Sequence, residues 1–211
     1  DYEIVCKMIA DELESFVPKN GTTLVVGLGN RDITPDAIGT RAVSELIITS
    51  HLKDRMPEAL GHGFGSVAAI APGVLGTTGI ETARIIKGIA ETIKPDMIIA
   101  VDALAGADIR RVCTTVQIAD TGISPGSGVG NCREGLNEET LGVKVIAVGV
   151  PTVIAAELLA GGELPEEFSG LMVTTKDIDL VIRRMSKTVA NGINLALHKD
   201  LTFRDIESIV D

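Results

Sequence analysis

Hydrophobic positions along the chain follow two alternating rhythms. In residues 3–16, Ile4, Val5, Met8, Ile9, Leu13 and Phe16 recur at helical spacing, and Pro18-Lys19-Asn20-Gly21 stops the segment. Residues 22–28 then form an unbroken run, Thr-Thr-Leu-Val-Val-Gly-Leu, too short for a helix and rich in β-branched side chains. Such a run suits a strand covered on both faces. The same rhythm returns at 66–71, 97–101, 114–118 and 144–148. Helical patterns lie between several of these strands, at 36–49, 79–93 and 152–160; a long amphipathic stretch at 176–198 and a short piece at 203–210 close the chain. Strands alternating with helices predict a three-layer α/β fold: a mostly parallel twisted sheet with helices on both faces. No linker, low-complexity tract or repeat divides the sequence, so residues 1–211 read as one domain. Two long irregular segments, 50–65 and 120–142, are of the kind that serves function or motion more often than connection.

Composition narrows the field. The 211 residues carry 19 Lys and Arg against 29 Asp and Glu, a net charge of −10, and only 2% aromatic residues. An acidic, ring-poor chain lacks the basic face and stacking platforms of a nucleic-acid binder, so no direct nucleic-acid contact is expected. No apolar run approaches the roughly 18–20 residues that span a bilayer. Asp11, Glu12 and Glu14 stand where a signal peptide would be basic and then apolar. A soluble, cytoplasmic protein without membrane contact is the expectation. Cys6, Cys113 and Cys132 form no CxxC, and His51, His62 and His198 form no HExxH. Neither a disulfide framework nor a zinc site is suggested, and the cysteines read as small buried thiols. No metal or cofactor is expected.

Several motifs invite chemistry that their context withholds. Gly27-Leu28-Gly29 follows a strand and precedes a helix, but the third glycine of a dinucleotide fingerprint would fall on Asp32. A carboxylate there would repel a pyrophosphate. Walker and GxSxG patterns are absent. Asp120-Thr121-Gly122 matches the triplet of two-lobed aspartic proteases, which need two such triplets in an all-β fold; here it reads as a turn closing a strand.

Two other aspartates remain. Thr34-Pro35-Asp36 has the grammar of a helix start, with Thr at the N-cap, Pro in the first position and a carboxylate at the positive end of the dipole. Asp102 ends the apolar strand 97–101, at the carboxyl edge where open α/β sheets place their ligand crevice. No capping role explains it. Burial there would raise its pKa into a useful range. If the strands preceding the two acids are neighbours, Asp36 and Asp102 share one crevice, and two carboxylates that cannot both ionise supply one base and one acid. Backbone amides of 27–30 or 126–130 are candidate oxyanion donors.

At these residues the sequence resembles the germination (spore) proteases of spore-forming bacteria. The matching blocks are LVVGLGN (24–30), TPDAIG (34–39), APGVLGTTGIET (71–82), IIAVDALA (98–105), TTVQIADTGISPGSGVGN (114–131), TLGVKVIAVGVPTV (140–153), LMVTTKDID (171–179) and ANGINLALH (190–198). They occur in family order over most of the chain. The resemblance implies an atypical aspartic endopeptidase, made as a zymogen and typically tetrameric, that degrades small acid-soluble spore proteins in the spore core. Its two essential aspartates fall on Asp36 and Asp102. It also implies that a family N-terminal segment, including a propeptide, is missing ahead of the first helix, and that the stretch between Glu157 and Leu171 is shortened. The family is similar in turn to the hydrogenase maturation endopeptidases, whose metal-binding acids occupy the same two places. Their third ligand, a histidine, matches Gly126 here, which leaves a poor metal site. The alternatives are thus a maturation-type endopeptidase and a non-catalytic peptide- or ligand-binding α/β domain.

Overall fold

A computed structural model of the chain describes residues 1–53, 63–126, 130, 133–162 and 164–210. Helix α1 (Tyr2–Glu14) leads into strand β1 (Thr22–Gly27), followed by a single 3-10 turn (Thr34–Asp36) and the helices α2 (Ile38–Ser44) and α3 (Ser50–Lys53). Next come β2 (Ser66–Ile70), α4 (Leu75–Thr78), α5 (Thr82–Ile93), β3 (Met97–Gly106), β4 (Gln117–Ala119) and α6 (Glu138–Leu141). The chain ends with β5 (Val145–Ala155), α7 (Ala156–Leu159), β6 (Met172–Val173), α8 (Ile178–Leu197) and α9 (Phe203–Val210).

The sheet runs β2-β1-β3-β5-β4, and β6 also pairs with β5. The four strands β2, β1, β3 and β5 are mutually parallel; β4 and β6 lie antiparallel to β5. The expected mostly parallel α/β architecture is what the chain forms. Alternate residues feed two cores. Val25, Met97, Ile99, Val101, Ile146 and Val148 pack with α1, α2 and α8 on one face. Leu24, Val26, Ile98, Ala100 and Val145 pack with Ala83, Ile86 and Ala90 of α5 on the other. Strands buried on both faces must be apolar throughout, which is why β1 and β3 read as continuous runs. Helix α8 owes its length to its pattern: Ile182, Val189, Ile193 and Leu197 are buried at helical spacing.

Element boundaries differ from the sequence expectation in instructive ways. The helix expected over 152–160 shrinks to α7, because β5 continues to Ala155 and its β-branched Val150, Thr152, Val153 and Ile154 prefer the pleat. The strand expected at 97–101 runs on to Gly106, so Asp102 lies inside β3 and does not end it. The helix expected from residue 36 begins only at Ile38. Thr34 is not its N-cap: the cap position is Ala37, and the preceding 3-10 turn starts from Ile33 without any side-chain cap.

Candidate active site

The site is built where β1 stops and β3 does not. Gly27, the last residue of β1, pairs with Val101, and Leu28 N donates to the Val101 carbonyl at 2.8 Å. Beyond this point β3 keeps β5 as a neighbour, with Asp102 opposite Gly149, but loses β1. The chain leaves β1 toward β2 on one side of the sheet and leaves β3 toward β5 on the other. This reversal of direction makes a topological switch point at the carboxyl ends of the two strands, where open α/β sheets usually form their ligand crevice. The vacated space beside β3 is taken by the Thr34–Asp36 turn, which touches β3, β5 and α8. Asp102, on β3, and Asp36, in the turn that follows the neighbouring strand β1, therefore stand at the same edge of the sheet.

Glycines let the backbone close this tightly. Gly29 sits at φ +97°, a region other residues rarely enter, and a Cβ on it would strike the carbonyl of Asp36. A side chain on Gly39 would strike the Val101 carbonyl and the backbone of Leu28. The Gly-Leu-Gly motif thus brings the first turn of α2 against β3 instead of cradling a phosphate.

The electrostatics of the two acids differ. Asp102 is 4% exposed, and among the described residues its carboxylate receives one hydrogen bond, from the amide of its neighbour Ala103 at 2.9 Å. Burial pushes its pKa up to about 7; the negative charge of Asp36 adds to the rise, and the Ala103 amide opposes it. Asp36 is half-buried, and burial raises its pKa too, offset by the Asn30 amide, which donates to Oδ2 at 2.7 Å. Among the described residues neither acid has a cationic partner. Both acids are thus shifted toward the protonated form, Asp102 the more strongly, and the charge of one bears on the ionisation of the other.

Other sequence candidates fare differently. Two amides of the 27–30 loop are already committed, Leu28 N to Val101 and Asn30 N to Asp36, so neither is a spare oxyanion donor. The other candidate donor loop, 126–130, lies mostly outside the described residues, as do His62 and Cys132. Asp120 and Thr121 are exposed, and Gly122 at φ +77° turns the chain from β4 into a two-residue bridge between Ile123 and Leu136. That triplet is a turn. Cys6 is buried and Cys113 half-buried, both as free thiols. His198 is fully buried with Nε2 3.1 Å from the Ile47 carbonyl. Among the described residues, no group of three or more His, Cys, Asp or Glu is placed to share an ion, and no helix is long and apolar enough to cross a membrane. An apolar groove of about 960 Å³ lies elsewhere, between α1, α8 and the 113–118 segment, and neither acid of the pair lines it.

One contact escaped the sequence reading. The Thr34 hydroxyl donates to Asp179 Oδ1 at 2.9 Å, across 145 residues of chain. Thr beside Pro signals a local cap, and nothing in a single sequence announces a distant acceptor.

Fold and crevice together define a class: an open, mostly parallel α/β domain with perturbed acids at the carboxyl edge of its sheet. Residues 2–163 match the family model described as germination protease. Relatives bearing that name include one from Clostridium acetobutylicum, 42% identical over 253 aligned positions that cover 100% of this chain and 77% of the relative. Another, from Bacillus subtilis, is 38% identical, covering 95% of this chain and 74% of its own. Among solved structures, the [NiFe] hydrogenase maturation protease HycI from Thermococcus kodakarensis matches at 18% identity and a TM-score of 0.45, covering 86% of this chain and 98% of its own. The 5'-methylthioadenosine nucleosidase of Arabidopsis thaliana matches at 12% identity and a TM-score of 0.43, covering 90% of this chain and 100% of its own. The chain belongs to the germination protease family. It is accordingly a peptidase, a hydrolase of protein substrates with a role in germination.

Proposed function

We propose that the peptidase works through the Asp36–Asp102 pair and a bound water, as an endopeptidase of the aspartic type. One carboxylate takes a proton from the water as its oxygen adds to the scissile carbonyl carbon; the other, protonated, donates to the carbonyl oxygen. Collapse of the tetrahedral adduct breaks the C–N bond as the leaving amine takes a proton from one carboxyl group and an adduct hydroxyl returns its proton to the pair, which re-forms the C=O bond and restores the starting protonation state. General acid–base help of this kind is worth roughly 10²–10⁴ in rate. The observation that carries the reading is the buried, once-hydrogen-bonded Asp102, its pKa raised to about 7 beside a second acid. A carboxyl group confined to stability would be paired or ionised and solvated; this one is neither.

Within the same reading, the substrates are small acid-soluble spore proteins, met in the spore core by a soluble, tetrameric enzyme that is made as a zymogen. The acids lie in one domain spanning 1–211. The net charge of −10 keeps the protease from the DNA such substrates coat. Gly126 offers no side chain where a maturation-type enzyme would place its third metal ligand, which favours water activation by carboxylates over nickel recognition.

The deciding experiment is cleavage of a purified small acid-soluble spore protein by the wild type, Asp36→Asn and Asp102→Asn. Both variants should lose activity while keeping the fold. Full cleavage by either one removes that residue from the mechanism. Stoichiometric nickel binding in calorimetry would move the assignment to the maturation-type alternative.

A further inference from the structure

We infer that Asp179 is a positioning residue for the acid pair, acting through Thr34 to hold the Asp36 turn in the crevice. The inference rests on the proposed role of Asp36 and Asp102. Hydrogen bonds inside the loop fix Asp36 relative to its own neighbours: Asp36 N donates to the Ile33 carbonyl at 2.8 Å, Ile33 N to the Asn30 carbonyl at 3.2 Å, and Asn30 N to Asp36 Oδ2 at 2.7 Å. None of these anchors the turn itself to another element. Among the described residues, the side-chain hydrogen bond that does so is Thr34 Oγ1 to Asp179 Oδ1, at 2.9 Å. Its far end is well founded. Asp179 lies in the first turn of α8, and α8 is held by a buried face from Ile182 to Leu197. The near end transmits directly, because Pro35 has a restricted φ and leaves little play between Thr34 and Asp36.

This bond is solvent-exposed and contributes little to global stability, yet it sets where one carboxylate stands relative to the other. A displacement of about 1 Å at a reacting group can cost up to about 100-fold in rate. The consequence is a split between chemistry and binding.

The test measures kcat and KM for cleavage of a small acid-soluble spore protein. Thr34→Val and Asp179→Ala should each lower kcat by about tenfold with KM within about twofold, and the double variant should lose no more than either single one. Thr34→Ser and Asp179→Asn keep a donor and an acceptor, and should recover most of the loss. Thermal midpoints should stay within about 2 °C of wild type. Carboxyl titration of Asp102 by NMR supplies a readout that needs no turnover: a loosened Asp36 repels it less, so its apparent pKa falls by roughly half a unit or more in Thr34→Val. Unchanged kcat and unchanged titration in Thr34→Val and Asp179→Ala would overturn the inference, as would equal losses in the conservative variants. If Asp36→Asn and Asp102→Asn cleave normally, the peptidase role of the pair fails instead, and the titration still decides whether the tether positions Asp36.

Discussion

Asp102 on β3 and Asn194 on α8 are both nearly sealed from water, 4% and 1% exposed, and the fold treats them in opposite ways. Asn194 Oδ1 accepts from Ile47 N at 3.0 Å while its Nδ2 donates to the Glu45 carbonyl at 3.0 Å. One side chain thereby satisfies two backbone groups of the segment that leaves α2. Asp102, by contrast, has the amide of its own neighbour and a second acid nearby. A buried polar group fully partnered fixes a structure; one left short of partners, beside a like charge, stores a free-energy cost that only a task repays. On the proposed mechanism, this difference sets Asp102 apart from a scaffold residue of similar burial.

Activity gives the largest test of that contrast. Asp102→Asn and Asp36→Asn should each reduce cleavage by roughly 10²–10⁴, whereas Asn194→Ala, measured at a temperature where it is folded, should retain wild-type kcat. Comparable activity losses at all three positions would erase the distinction. Next in size is stability, where the ranking inverts. Asn194→Ala strands the Ile47 amide and the Glu45 carbonyl, and should lower unfolding free energy by about 3 kcal/mol in urea titrations, while Asp102→Asn at pH 8 should be no less stable than wild type.

The pH dependence of stability sharpens the comparison further. In the unfolded chain Asp102 ionises near the ordinary value of 3.8, whereas in the fold it holds its proton up to about 7. Between those limits the native state carries the extra proton, so stability falls as pH rises through about 4 to 7, by an amount on the order of a few kcal/mol. Asp36, raised in the same direction, adds to this slope. His198 opposes it: burial lowers its pKa, so the fold keeps it neutral where the unfolded chain is charged, and stability is lost as pH falls below about 6.5. Urea midpoints of wild type and Asp102→Asn across pH 4.5–8 should therefore diverge, with the variant gaining at the alkaline end. Parallel profiles would remove the raised Asp102 from the description.

What the sequence discloses follows the same division. The runs around Val25 and Ile99 announce doubly covered strands, because a strand buried on both faces has no polar alternation to hide in. Asp102 is legible for the same reason, as one carboxylate inside an otherwise apolar block. Asp36 is half legible: Thr34-Pro35-Asp36 looks like a helix cap, and local grammar alone gives the wrong start for α2. The Thr34–Asp179 bond is silent in sequence, since 145 residues separate its ends and either residue has an ordinary local excuse. The ends of β3 and β5 are not legible in the sequence, because Ala-Leu-Ala and Val-Pro-Thr-Val carry weak or mixed propensities and mutual pairing beyond the end of β1 decides them.

The close fit of Gly29 and Gly39 beneath the acids implies two kinds of mutational record. Selected for folding alone, a population of variants would hold those glycines, since any side chain there collides with backbone atoms, and would let Asp102 drift toward neutral residues. Selected for turnover, it would keep all four positions. Counting which residues survive under each regime would separate the architecture of the crevice from its chemistry without a substrate complex.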